Sequence, residues 1–352
     1  MNMNQKDNNH LLSETASVRD ALISLDQLAL DSILFVVGNN NKLIGSLTDG
    51  DLRRGFIKGL GFESSILDFI QENPRFIYEN EYNQTMLEEY KSDNFKLIPI
   101  LNRAHEIVDI LNFRFRSTLL PVDAVLMAGG EGRRLRPLTE NTPKPLLQVG
   151  DKPILEHNID RLTKVGVKNI YLSINYLGEQ IECYFGNGDS KNIKIDYIKE
   201  EKPLGTIGSV LLVDEFANDE ILVMNSDLLT NIDFADFYKS FKESGADMAV
   251  AATTYHVDVP YAVLESDEYQ KVRSLKEKPR YTYFSNAGIY LINKKLLSLI
   301  PKGEFYNITD LMEKVIAMDN KLITYPITGY WLDIGKHEDF RKAQEDIKHI
   351  KL

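Results

Sequence analysis

Cysteine is almost missing from this 352-residue chain. Cys183 stands alone, so no internal disulfide can form, which suits a reducing compartment. No apolar run approaches the roughly 20 residues needed to span a bilayer, and the opening MNMNQKDNNH has no apolar signal region. A cytoplasmic protein without a membrane partner is expected, with residues 1–10 a flexible N-terminus. Positive charge is not in excess either: the net charge of −11 argues against a nucleic-acid partner. The six histidines show no metal spacing, and neither a GxxxxGK[ST] phosphate loop nor a GxGxxG dinucleotide turn occurs. What remains is an ordinary globular composition, 43% hydrophobic and 26% charged, in a length that allows two domains or more.

Residues 124–147, AVLMAGGEGRRLRPLTENTPKPLL, organise the rest. Ala124 to Met127 form a short buried-strand signal that runs into Gly129, Gly130 and Gly132. Glycine lets successive N–H groups approach phosphate oxygens. Cations follow directly: Arg133, Arg134 and Arg136, then Lys144 held between Pro143 and Pro145. Such an arrangement suits a polyphosphate. From Leu126 to Ile154 the run LxAGGxGxRLxPLTxxxPKPLLxVxxKPI resembles the signature of sugar nucleotidyltransferases. The resemblance implies that Leu126, Ala128, Gly129 and Gly130 bind the nucleotide. It makes Arg134 and Lys144 the catalytic cations, the first on departing pyrophosphate and the second on the α-phosphate or sugar phosphate.

Beyond Met127, strand and helix periods alternate. Ile154 to Gly166 reads as an amphipathic helix, Asn169 to Asn175 as a strand, LGEQIECYF as a short helix and IKIDYIKE as a strand. Such alternation predicts an α/β fold, Rossmann-like, with a mostly parallel sheet whose ligands sit beyond the carboxyl ends of the strands. The domain is expected over 124–352. After the third strand comes EEKPLGT, read from the residues as a turn followed by a helix starting at Thr206. In the resembled family this LGT-type segment, with Gly205 and Thr206, contacts base and sugar. Pyrimidine-specific members carry a glutamine five residues before the glycine, where this chain has Glu200. A carboxylate only accepts hydrogen bonds, so Glu200, or alternatively Glu201, suits the two donors on guanine's edge. GTP is therefore the favoured nucleotide, with UTP or dTTP as the rival.

The apolar strand Ile221 to Met224 ends in Asn225-Ser226-Asp227, which puts Asp227 at a strand's carboxyl end. A carboxylate there suits Mg²⁺, which takes one or two protein carboxylates and completes its shell with phosphates and water; a helix or turn cap is the plainer alternative. The resemblance supplies the second metal ligand, Asp333, two residues after the only tryptophan, with Lys336 and His337 replacing the family's Thr-Pro. It also implies that Glu277 and Lys278 hold a sugar hydroxyl and the sugar's phosphate, and that Asn286 and Gly288 line the sugar pocket.

Residues 11–118 read as a separate module of two helix-strand-turn-strand copies, the second weaker, joined to the rest by residues 119–123. The module resembles a tandem cystathionine-β-synthase (CBS) domain pair of α+β type. GSLTDGDLRR carries the resemblance, and in that family such a Thr-x-x-Asp pair, here Thr48 and Asp51, often binds an adenine nucleotide. The alternative is that the two residues cap the next helix. In the second copy Ile110 to Phe113 stand in their place. By analogy the pair dimerises, so a homodimer or higher homo-oligomer is expected.

Taken together the resemblances imply Mg²⁺-dependent transfer of GMP from GTP to a sugar 1-phosphate. The order of domains is similar to guanylyltransferases of bacterial surface-glycan pathways, including those opening a legionaminic-acid route. Glucosamine 1-phosphate ranks first as the sugar, and mannose or heptose 1-phosphate next. A nucleotide sensor without turnover is the rival from another class.

Overall fold

A computed structural model of the chain describes residues 9–79, 81, 84–114, 116, 118–350 and 352. Residues 1–8 of the expected flexible N-terminus lie outside the described residues. His10 is not loose: it is buried, its ring Nδ1 bonds the carbonyl of Ile33 at 2.8 Å, and its own carbonyl accepts from the N–H of Phe35. The chain divides into two compact units, breaking between Leu119 and Leu120. The segment expected as a linker, 119–123, is structured: Leu119 packs in the first unit, while Val122 and Asp123 open the first strand of the second.

The first unit contains β1 (Leu11–Ser13), α1 (Val18–Leu28), β2 (Ile33–Val37), β3 (Leu43–Thr48), α2 (Asp49–Ile57), β4 (Ile77–Tyr78), α3 (Gln84–Ser92), β5 (Leu97–Leu101) and β6 (Ile107–Asn112). Two three-stranded sheets result, β1-β2-β3 and β4-β5-β6, each a short parallel strand beside an antiparallel pair. Phe35, Val37 and Leu43 of the first copy share a core with Leu97, Leu101, Ile107 and Ile110 of the second. Ser17 and Asp20 form the capping box that starts α1.

The second unit is built on a seven-stranded sheet, ordered β11-β10-β7-β12-β17-β14-β18. Its elements are β7 (Val122–Met127), β8 (Gln148–Val149), β9 (Lys152–Pro153), α4 (Ile154–Lys164), β10 (Asn169–Ile174), α5 (Gly178–Phe185), β11 (Lys194–Lys199), β12 (Glu220–Asn225), β13 (Leu228–Thr230), α6 (Phe234–Ser244), β14 (Met248–Asp258), β15 (Val263–Ser266), β16 (Val272–Lys276), β17 (Arg280–Asn293), α7 (Ile308–Ala317), β18 (Leu322–Pro326), β19 (Trp331–Asp333) and α8 (His337–Asp346). Only β17 runs antiparallel to its neighbours. Strand alternation sends Ala124, Leu126, Leu222 and Met224 to one face and Val125, Ile221 and Val223 to the other, so a separate core forms on each side. Each fully buried Val, Leu, Ile or Met side chain among them contributes about 1.5–3 kcal/mol. The carboxyl ends of β7, β10, β11 and β12 lie together at one edge, and the glycine loop and Asp227 emerge there. Among the described residues no helix is long and apolar enough to cross a membrane.

Candidate active site

Beyond Met127 the backbone leaves the sheet. Ala128 still donates to Ser173 at 2.7 Å, but the N–H groups of Gly129, Gly130, Glu131 and Gly132 donate to no acceptor among the described residues. Four successive free donors on a turn are suited to an anion. Gly132 has φ +60, and a Cβ there would stand 3.0 Å from the Cβ of Lys144. That close approach brings the lysine under the loop.

The arginines that follow are not equivalent. Arg133 is bound to Glu131 at 2.6 Å, and Arg136 lies 3.7 Å from the same carboxylate. Arg134 has no such partner among the described residues. Its guanidinium passes over Gly335, where a Cβ would meet Nη2 at 3.2 Å, and acts on the charge of Asp333. Lys144 is buried and ion-paired to Oδ2 of Asp227.

Asp227 occupies a turn held from both sides. The amide of Asn158, buried on α4, donates to the carbonyls of Ser226 at 3.3 Å and Leu228 at 2.9 Å, and Ser226 N–H donates to Met127. Beyond the turn, β13 pairs with β19, placing Leu228 opposite Asp333, and Ile334 N–H donates to the carbonyl of Asp227 at 3.1 Å. Residues separated by a hundred positions thus become neighbours. Oδ1 of Asp227 is buried and has no partner, which is rare for a carboxylate oxygen. Desolvation, then the charge of Asp227, holds the carboxyl of Asp333 above its usual range, while Lys144 and Arg134 pull it back.

This donor set fits Mg²⁺. One carboxylate oxygen is orphaned, a second carboxyl carries an unfavourable charge beside it, and Mg²⁺ takes one or two protein carboxylates with phosphate oxygens and water completing its shell. Asp227 does not act as a helix cap; α6 is capped by Asp233 instead.

Glu200 follows β11, and one of its oxygens lies 3.4 Å from where a Cβ of Gly129 would stand. Oε1 accepts from Ser173 at 2.6 Å and Oε2 from Leu204 N–H at 2.9 Å, which leaves acceptor capacity on both. Gly205 and Thr206 have packing duties. Gly205 adopts φ +79 with a Cβ position only 2.4 Å from the carbonyl oxygen of Tyr306, and Thr206 Oγ1 accepts from Ile308 N–H at the start of α7. No helix starts at Thr206; a 3₁₀ turn covers Gly208–Leu212. Asn286 accepts from Gly288 N–H at 2.9 Å, and Gly288, φ +74, lets Asn225 approach to 2.7 Å of its Cβ position. Leu126 is buried in the sheet beneath the loop. Glu277 and Lys278 are exposed in the connection between β16 and β17, and no bond or ion pair links them to Arg134, Lys144, Asp227 or Asp333.

In the first unit, Thr48 and Asp51 form the capping box of α2. Burial raises the Asp51 carboxyl, but bonds from Thr48, Gln71 and Arg54 outweigh it and hold the group below its usual value. Thr48 also lines a cavity of about 480 Å³ with Ala29, Ser32, Ile33, Asn94, Phe95 and Lys96.

Two residues escaped the sequence reading. Asn158 shows there only as a break in an apolar stripe. Arg161, one turn along, donates to the carbonyls of Thr230 and Ile232, and its burial lowers its pKa to about 10.

A family model described as "Nucleotidyl transferase" matches residues 123–350. Curated relatives include the probable mannose-1-phosphate guanylyltransferase 1 of Oryza sativa, 36% identical over 62% of this chain and 62% of its own length. The mannose-1-phosphate guanylyltransferase of Mycobacterium tuberculosis is 31% identical over 64% of each chain. The bifunctional protein GlmU of Methanocaldococcus jannaschii is 34% identical over 64% of this chain and 54% of its own. The match thus spans less than two thirds of these relatives' length. Among solved structures, a putative glucose-1-phosphate thymidylyltransferase from Bacillus anthracis matches 66% of this chain and 97% of its own with TM-score 0.54 at 25% identity. HddC from Yersinia pseudotuberculosis matches 64% and 99% with TM-score 0.51 at 28% identity. The model's match extends over well more than half of the residues, and the chain belongs to the nucleotidyl transferase family.

Proposed function

We propose that residues 120–352 transfer GMP from GTP to a sugar 1-phosphate with Mg²⁺, giving a GDP-sugar and pyrophosphate. The observation that carries the reading is the half-satisfied Asp227 carboxylate, paired to Lys144 through one oxygen and orphaned at the other, beside Asp333 and a loop of free N–H donors. An oxygen of the sugar phosphate attacks the α-phosphorus in line as the bond to pyrophosphate breaks. That oxygen is already ionised at pH 7, so no general base is needed. Mg²⁺ held by Asp227 and Asp333 supplies charge neutralisation where phosphates meet. The glycine-loop N–H groups orient the triphosphate, Arg134 neutralises the departing pyrophosphate and Lys144 takes charge building on the attacked or attacking phosphate. Glu277, Lys278, Asn286 and Gly288 hold the sugar phosphate.

Glu200 supports guanine, since its oxygens accept but cannot donate, and two relatives are named as guanylyltransferases. Glucosamine 1-phosphate, the sugar of the legionaminic-acid route, is the first candidate, followed by mannose 1-phosphate, for which those relatives are named, and heptose 1-phosphate. For the first unit the reading is a CBS-type pair, forming a homodimer and taking an adenine nucleotide in the cavity beside Thr48.

Turnover with GTP, UTP, CTP, dTTP and ATP in separate reactions tests the nucleotide. The wild type should release pyrophosphate with GTP alone, and Glu200→Gln should move preference toward UTP or dTTP. Unchanged selectivity in the variant removes Glu200 from base reading. Binding of GDP-sugars without turnover would leave the sensor reading in its place.

A further inference from the structure

Two buried hydroxyls stand behind Glu200. Ser173 follows Tyr171 by two residues on β10, so strand alternation turns it to the face whose core includes Val125, Tyr171, Ile207 and Val210. Ser209 reaches it from the 3₁₀ turn Gly208–Leu212. Both serines are fully buried, and a hydroxyl in apolar surroundings is unfavourable unless its hydrogen is accepted.

The two hydroxyl oxygens lie 2.9 Å apart, and that of Ser173 lies 2.6 Å from Oε1 of Glu200. A pair of serines has two hydrogens and uses only one between them. A carboxylate cannot donate, so Ser173 donates to Oε1 and Ser209 donates to Ser173. The sulfur of Met127, 4.0 Å from Ser209, is a weak acceptor by comparison. Glu200 is therefore the acceptor on which both hydroxyls depend.

Glu200 itself is fixed at four points. Its N–H donates to the carbonyl of Ile174 at 3.2 Å and its carbonyl accepts from the Asn175 amide at 2.8 Å, which ties its backbone to the end of β10. Ser173 holds Oε1, and the N–H of Leu204 holds Oε2 at 2.9 Å. The last torsion of a glutamate is otherwise broad. Anchored through both oxygens, the carboxylate is held in one plane while each oxygen keeps capacity for a further donor. Glu201, the next residue, is exposed and has no such anchor among the described residues.

Ser173 also accepts through its carbonyl from the N–H of Ala128 at 2.7 Å, immediately before the free donors of the glycine loop. One residue thus ties the start of that loop to the carboxylate of Glu200.

We propose that Ser173, oriented by Ser209, is a positioning residue for base selection, setting Glu200 to accept from both N1–H and the 2-amino group of guanine. This rests on the function proposed above.

The test is equilibrium binding, to the full-length protein, of GTP and of inosine triphosphate, which keeps N1–H and lacks the 2-amino group. The wild type should prefer GTP by about tenfold or more, the worth of one hydrogen bond to a charged group. Ser173→Ala should shrink that preference by about fivefold and Ser209→Ala by a smaller factor. In a Glu200→Gln background Ser173→Ala should change the preference no further, because the two residues act as one unit. A serine that served packing alone would weaken both nucleotides equally, or act alike in both backgrounds. Either result, or an unchanged preference in both serine variants, overturns the proposal. Thermal melts accompany each variant, and should Ser173→Ala fail to fold, Ser209→Ala carries the same comparison. A wild type that binds UTP or dTTP in place of GTP overturns the function proposed above and this inference with it, and that outcome shows before any variant is made.

Discussion

Asp333 is held in a state that costs the fold. Its carboxyl is raised by desolvation and by Asp227, so the ionised form at neutral pH is disfavoured in the folded chain relative to the unfolded one. For a raised carboxyl the associated stability is fully present below the ordinary value near 3.8 and is lost as pH rises through the folded-state value. Asp333→Asn should therefore melt above the wild type at neutral pH, with the gap closing as pH falls toward 4, while turnover is lost. Thermal melts of both proteins between pH 4 and 8 check this; a variant that melts lower at neutral pH contradicts it. In the sequence a strand end marks Asp227 and the long glycine motif marks the cations, while Asp333 came only from the resemblance; the fold sets these residues side by side. Asn158 was not legible, since its role depends on the carbonyls of Ser226 and Leu228, seventy positions away, and a polar residue on an amphipathic helix gives no hint of such a clasp.

At the scale of elements, the LGT segment shows how one stretch serves packing and chemistry together. Gly205 needs both its positive φ and the empty space above it, because a Cβ would collide with the Tyr306 carbonyl oxygen. Gly205→Ala should cost about 1–3 kcal/mol, read by urea melts, and should weaken nucleotide binding by shifting the turn that Glu200 bonds at Leu204. A neutral effect on stability would contradict the close approach. The alternation of strands and helices placed most of the sheet correctly, and its periods gave α4 and α5 nearly to the residue. Thr206 misled as a helix start because the bond it makes is to Ile308, at the head of a different helix. The long ribbon of β14 and β17 was hidden for a similar reason: in sequence Glu277 and Lys278 stand only as a pair of site residues, and only the pairing of β14 with β17 over their full length shows the strands that flank them running on beyond the sheet.

The whole molecule joins two units divided between Leu119 and Leu120, with Val122 and Asp123, expected in a linker, already belonging to β7. Every residue proposed for GMP transfer lies in the second unit, whereas the cavity beside Thr48 lies in the first. The cavity of the first unit and the transfer site proposed for the second can thus be tested by separate substitutions. The most direct measurement is pyrophosphate release by the full chain with GTP and a mixed pool of sugar 1-phosphates, with and without Mg²⁺, beside Asp227→Asn and Arg134→Ala. Release that requires Mg²⁺ and falls about 10²-fold or more in either variant, with melting behaviour retained, is the predicted result. Near-wild-type turnover in those variants, or release indifferent to Mg²⁺, would contradict the assignment of this site.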